Sequence, residues 1–259
     1  MDSSPHDNLA TTIAIGLLAY VSADVAHHAL GHAGACLASG GSVVSLSSVF
    51  VECTLHGAAI DLAGPFLNLI LGLAAVLVVR STGGPSRSTR RLFWLLVAGF
   101  NLLWFSGQLV FSLASRTDDW AWALERFGVP GPVRLGLIAA GILAYVATLR
   151  FLASGLAPYA HPPGRAARIV WTVWLTAGAT ACATAALDPH PVAAILHHAL
   201  PQSVVVSAGL LLVSRRAARR SFPGEAAPAI GHSVPWIASA ALVAFASILL
   251  LGPGVAIVF

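Results

Sequence analysis

The sequence predicts an all-α polytopic membrane protein, with about seven transmembrane helices (six is the alternative count) and a short extended hairpin after the first. The helices are expected to form a single transmembrane domain over residues 1–259. Three observations predict this. Of the 259 residues, 57% are hydrophobic and 9% are charged, whereas a soluble domain carries about 25% charged residues to keep its surface wet. The apolar residues fall into runs near 20 residues, the helix length that crosses a hydrocarbon core of about 30 Å. The 14 basic residues are all arginine, and most sit in short clusters between those runs. Such a composition argues against a soluble enzyme, a disordered chain and a nucleic-acid partner, and makes the lipid bilayer the first partner of the chain.

Seven stretches have the length and apolarity of a span: 9–38, 57–80, 92–115, 132–155, 169–187, 192–214 and 234–251. The fifth is short. The sixth contains Pro201, which interrupts the hydrogen-bond ladder of a helix. Arg80, Arg87, Arg90 and Arg91 surround the loop after the second stretch. Arg165 and Arg168 follow the fourth, and Arg215, Arg216, Arg219 and Arg220 follow the sixth. These loops alternate with loops holding Glu52, the Asp118/Asp119 pair and Asp188. Cytoplasmic loops carry an excess of arginine, so an integral protein of a bacterial inner (plasma) membrane is expected, with its N-terminus cytoplasmic. The opening MDSSPHDN lacks the basic region of a signal peptide, so the first span is expected to stay as an anchor. Cys36 and Cys53 flank the loop after it and are a disulfide candidate, with two unpaired thiols as the alternative.

Ionisable groups inside a membrane are expensive and mark function. The first span holds Asp24, His27, His28 and His32. The second opens with His56 and Asp61, the third exits into Asp118 and Asp119, and the sixth opens with His197 and His198. The arginine-derived topology puts all of them toward the outer side. Residues four apart on a helix advance about 40° around its axis, so Asp24, His28 and His32 form one stripe. Two imidazoles at i and i+4 are a geometry that holds zinc. The competing reading is hydrogen bonding between helices.

The stretch Val25 to Cys36, VAHHALGHAGAC, resembles the HELGH-type metal helix of the site-2 protease family of intramembrane zinc metalloproteases. Leu62 to Leu69, LAGPFLNL, is similar to that family's GP-x-x-N segment, and GGSVVSLSSVF between them fits an extended hairpin beside the site. The resemblance covers roughly residues 10–125 as a metal-site core, with additional transmembrane helices over 126–259. It implies zinc held by His28, His32 and an aspartate of TDDWAWAL, Asp119 rather than Asp118. It also implies that Asn68 positions a membrane-protein or peptide substrate.

The chain departs from the family at two points. Aligning His28 and His32 with the metal ligands puts Ala29 where the catalytic glutamate belongs. In the alternative register His27 is the first ligand and His28 takes the glutamate position, but the i,i+5 spacing then needs a π-type turn. The family's metal helix also runs toward the cytoplasm, whereas the arginines here make it run outward. Asp24 and Asp61 are candidates to orient a ligand histidine, and Asp61 equally suits the start of the second span. Glu52 is a candidate replacement base. The functions to weigh are therefore a zinc peptidase with an altered or lost base, a non-catalytic binder of a membrane partner, and a metal or ion transporter.

Overall fold

The computed structural model describes residues 6–82, 88–220 and 229–257. Arg87, one of the arginines used above for topology, lies outside the described residues.

The chain forms helix α1 (Leu9–Ala38), whose middle turn Ala26–Ala33 is wound more widely than an α-helix. Strands β1 (Val43–Leu46) and β2 (Val51–Cys53) follow. Then come α2 (Ala58–Ser81), α3 (Ser88–Ser115), α4 (Asp118–Arg126), α5 (Gly131–Leu156) and α6 (Arg165–Ala185). Helices α7 (Pro191–Ala218) and α8 (Val234–Leu251) and strand β3 (Val255–Ile257) complete the chain. Among the described residues, six helices are long and apolar enough to cross a membrane: α1, α2, α3, α5, α7 and α8. The stretch expected at 169–187 is helical as α6, but its threonines at 172, 176, 180 and 184 dilute its hydropathy below that of the six.

Leucines of α3 and α5, among them Leu95, Leu96, Leu103, Leu152 and Leu156, are fully buried against Ile15 and Ala19 of α1 and Val173 of α6. Away from this core, α2 exposes Ile70, Leu73 and Leu77, and α8 exposes Leu242, Phe245 and Leu249. Apolar surface this extensive on the outer helices suits contact with lipid rather than water.

The two ends of the bundle differ in chemistry. At one end Arg165 pairs with Asp7 through two 2.8 Å bonds, Arg91 donates to the Gly155 carbonyl at 3.2 Å, and Arg220 donates to Ser154. At the other end lie the widened turn of α1, the start of α2, helix α4 and a three-stranded antiparallel sheet of order β2–β1–β3. The hairpin expected after the first helix is β1–β2, with Val43 opposite Cys53 and Leu46 opposite Val51. Strand β3 was not foreseen. Its three residues pair with β1 on the other edge, Val43 opposite Ile257, and so short a strand carries little periodicity to read. The Cys36–Cys53 disulfide ties the end of α1 to β2, with Val43, Leu46 and Ala33 packed around it.

Candidate metal centre

The site is built where α1 crosses α2. A methyl group added at Gly31 would lie 2.5 Å from Gly64 Cα, and one added at Gly64 would strike the His32 imidazole. Both positions therefore require glycine, and the close approach lets a carbonyl of α2 reach a side chain of α1. His32 Nδ1 sits 2.8 Å from the Ile60 carbonyl. A carbonyl only accepts, so Nδ1 carries the hydrogen and the Nε2 lone pair points the other way.

His27 is fixed by a longer chain of bonds. Asn101 Nδ2 donates to the Val97 carbonyl at 2.8 Å, which leaves its Oδ1 to accept from Asn68 Nδ2 at 2.9 Å. Asn68 Nδ2 also donates to the Ala23 carbonyl at 3.0 Å, so Asn68 Oδ1 must face His27 Nδ1, 2.7 Å away. His27 thus carries its hydrogen on Nδ1 too, and its ring stacks on Trp104 at 4.8 Å and 20°. Asn101, Trp104 and Gln108 fall at i, i+3 and i+7, one stripe of α3 that backs the whole site.

Asp119 arrives from α4. Its approach is set by an unusual connection: Arg116 and Asp118 both hold positive φ, 62° and 75°. Non-glycine residues adopt that region only when their surroundings enforce it. Ser112 enforces it here, donating to the Thr117 carbonyl at 2.5 Å and accepting from the Ala121 amide at 3.0 Å. Gln108 Nε2 donates to Asp119 Oδ2 at 2.7 Å. Burial by itself raises the Asp119 carboxyl, but the imidazoles of His32 and His27 outweigh it and hold the group below the ordinary carboxylate range. Asp118 is pushed up, by its burial and by the Asp119 charge beside it.

The result is a convergence of acceptors. His27 Nε2 and His32 Nε2 lie 3.1 Å apart, and Asp119 Oδ2 lies 3.1 and 3.2 Å from them. All three side chains are buried, and their ligand atoms lie within 4.8 Å of one another. Both histidines donate from Nδ1, so both Nε2 atoms turn toward Asp119 Oδ2. A divalent cation at their centre would be reached by all three atoms at once. Two imidazoles and a carboxylate, each held by a further hydrogen bond, form a set that could hold a metal ion.

Several positions differ from the sequence reading. His27, not His28, stands with His32 and Asp119. Five residues of ordinary α-helix advance about 500°, leaving two side chains about 140° apart. The π-type turn Ala26–Ala33 removes that divergence, so the alternative register is the one that forms. His28 instead pairs with Asp24, Nδ1 to Oδ1, at 3.1 Å. Ala29 packs toward the disulfide cluster and does not line the cavity. Asn68 is fully buried, its amide is engaged by His27, Ala23 and Asn101, and it does not line the cavity. Asp118 shares Gln108 with Asp119 at 3.2 Å and stays out of the triad. Asp61 accepts from Arg126 Nε at 2.9 Å, while its neighbour Ile60 supplies the carbonyl that orients His32.

A cavity of about 360 Å³ opens beside the triad. His27, His28 and His32 line it together with Glu52 of β2, Arg126 of α4 and His198 of α7. His198 therefore faces the same space, and among the described residues no second metal-ligand group forms around His197 and His198. The sequence reading missed Ile60, Asn101, Gln108 and the helical character of α4. The signals present were the i, i+3, i+7 spacing of Asn101, Trp104 and Gln108 and the acidic start and basic end of DDWAWALER. Compared with protein-family models, curated proteins and solved structures, the chain matches none.

Proposed function

We propose that the chain is an integral membrane zinc metalloprotein that hydrolyses peptide bonds, with His27, His32 and Asp119 as ligands and His28 in place of the usual glutamate base. The observation that carries this reading is the convergence of two imidazole nitrogens and a carboxylate oxygen, all buried and within 4.8 Å of one another. Zinc suits a buried set of two imidazoles and one carboxylate with room left for a further ligand. A cation held there supplies Lewis acidity, polarising a carbonyl and acidifying water.

The remaining steps belong to the protein's own residues. Asn68 and Ile60 accept from Nδ1 of the two histidines and so aim both Nε2 atoms at the centre. Trp104 and the crossing of α1 with α2 exclude bulk water behind the ligands. Asp24 takes the His28 Nδ1 hydrogen bond, which leaves Nε2 to accept a proton on the cavity side, the division of labour seen in Asp–His pairs generally. His28 directly follows the first ligand, the position that glutamate occupies in the resembled site-2 protease family.

We further propose that the arginine-rich end faces the cytoplasm and the site the opposite side. The arginine loops support this, as does a disulfide at the site end, since disulfides persist in oxidising compartments. Helix α6 is the proposed seventh span, because its 21 residues make about 32 Å of helix.

A second reading has one observation in its favour: no carboxylate directly follows the first ligand, His27. A protein that clamps a membrane partner without cleaving it would tolerate that. The separating experiment uses purified protein in liposomes with a membrane-embedded peptide. Hydrolysis should fall by about 10²–10⁴-fold in His28→Ala while zinc content is unchanged. Zinc-loaded wild-type protein that captures the peptide and never cleaves it would favour the clamp.

A further inference from the structure

We infer that Arg126 is a specificity residue that binds a carboxylate of the ligand, either a peptide C-terminus or an acidic side chain, about three residues from the His27–His32–Asp119 end of the cavity. The inference rests on the peptide-hydrolase reading above.

Asp119, Trp122 and Arg126 all line the cavity and all belong to α4. From Asp119 to Arg126 is seven residues, or about 700° of rotation and about 10 Å of rise. The two charged residues therefore lie on one stripe, 20° short of two full turns, with Trp122 between them. The cavity thus runs along α4 from a ligand triad to a guanidinium. An extended peptide advances about 3.3 Å per residue, so three residues bridge the two.

Arg126 is not consumed by its structural contact. Its bond to Asp61 uses Nε alone, and Asp61 is the only ion-pair partner it has among the described residues. A guanidinium offers a second, end-on face of two amino groups, which matches a carboxylate with two parallel bonds. The side chain is 42% exposed, so that face is reachable. Asp61 does double service in this arrangement. It aims the guanidinium, and through Ile60 its stretch of α2 also aims His32, so the two ends of the cavity are held at a fixed spacing by one short segment.

The test is binding of three probes to the full-length protein in detergent. They are an N-acetylated apolar tetrapeptide with a free C-terminal carboxylate, its C-terminal amide, and an amide carrying aspartate at the fourth position. Zinc is measured on every sample, and each titration is repeated after chelation. Wild-type protein should bind at least one carboxylate probe about tenfold more tightly than the plain amide. That ratio should fall to about one in Arg126→Gln, persist in Asp61→Asn, and survive chelation. The probe that shows the preference identifies the carboxylate as terminal or side-chain. A wild-type ratio near one, or a preference that Arg126→Gln leaves intact, overturns the inference. Wild-type protein that carries no zinc as purified, before any chelation, yet shows an Arg126-dependent preference overturns the metal reading and leaves this one standing.

Discussion

Asn68 decides which nitrogen of His27 faces Asp119, although it does not line the cavity. Removing the amide in Asn68→Ala frees His27 to change tautomer, and partners of this kind are worth about 10–100-fold in metal affinity. Competition against a zinc chelator should show that loss, with helical content by circular dichroism unchanged. The histidine pair makes a sharper test. His28→Glu restores an acid directly after the first ligand and should retain both zinc and hydrolysis. Ala29→Glu should gain nothing, because Ala29 packs toward the disulfide cluster, where a buried carboxylate is destabilising. The motif HALGH was legible in the sequence. The register was not, because i,i+4 spacing is the default for an α-helix, and only the observed π-type turn selects His27. Asp119 was expected from the resemblance, its place before Trp120 favouring it over Asp118. Asn101 and Gln108 were not, since a lone amide in a span reads as a bond between helices until its partners are known.

The crossing of α1 and α2 governs the geometry of the site because the contact is backbone to backbone. Gly31→Leu forces the helices apart, and overpacking of this kind costs about 1–3 kcal/mol. The thermal midpoint in detergent should fall and zinc should be lost with it, since the Ile60 carbonyl moves away from His32. The sheet is a second fastening. Cys53→Ser removes a crosslink between residues 17 apart, a change worth about 2–5 kcal/mol in small domains. The expected result is a lower midpoint and increased protease sensitivity at Ser47–Phe50, with zinc content retained, because no ligand lies on the hairpin. The hairpin was expected from the resemblance, where GGSVVSLSSVF fills the stretch between the two motifs. Helix α4 was hidden because nine residues adjoining a long apolar helix read as its exit, although an acidic first turn and a basic last turn are helix signals.

The arginine clusters at one end and the buried His/Asp group at the other give the molecule a polarity that can be measured without knowing its substrate. A single cysteine at Gly128, in a variant lacking Cys182, should react with a membrane-impermeant maleimide in intact cells, and one at Arg219 should not. The reverse pattern would invert the proposed orientation while leaving the site unchanged. Composition made the membrane class legible, because 9% charged residues cannot wet a globule of this size. It left the number of crossings open, since the buried, threonine-rich α6 is no more apolar than many soluble helices. The most direct test of the metal centre is metal content by elemental analysis, on protein purified without added chelator, for wild type, His28→Ala, His27→Ala and Asp119→Asn. The convergence of His27, His32 and Asp119 predicts about one zinc per chain in wild type and His28→Ala, and a large loss in the other two. Zinc lost from His28→Ala and kept by His27→Ala would contradict it.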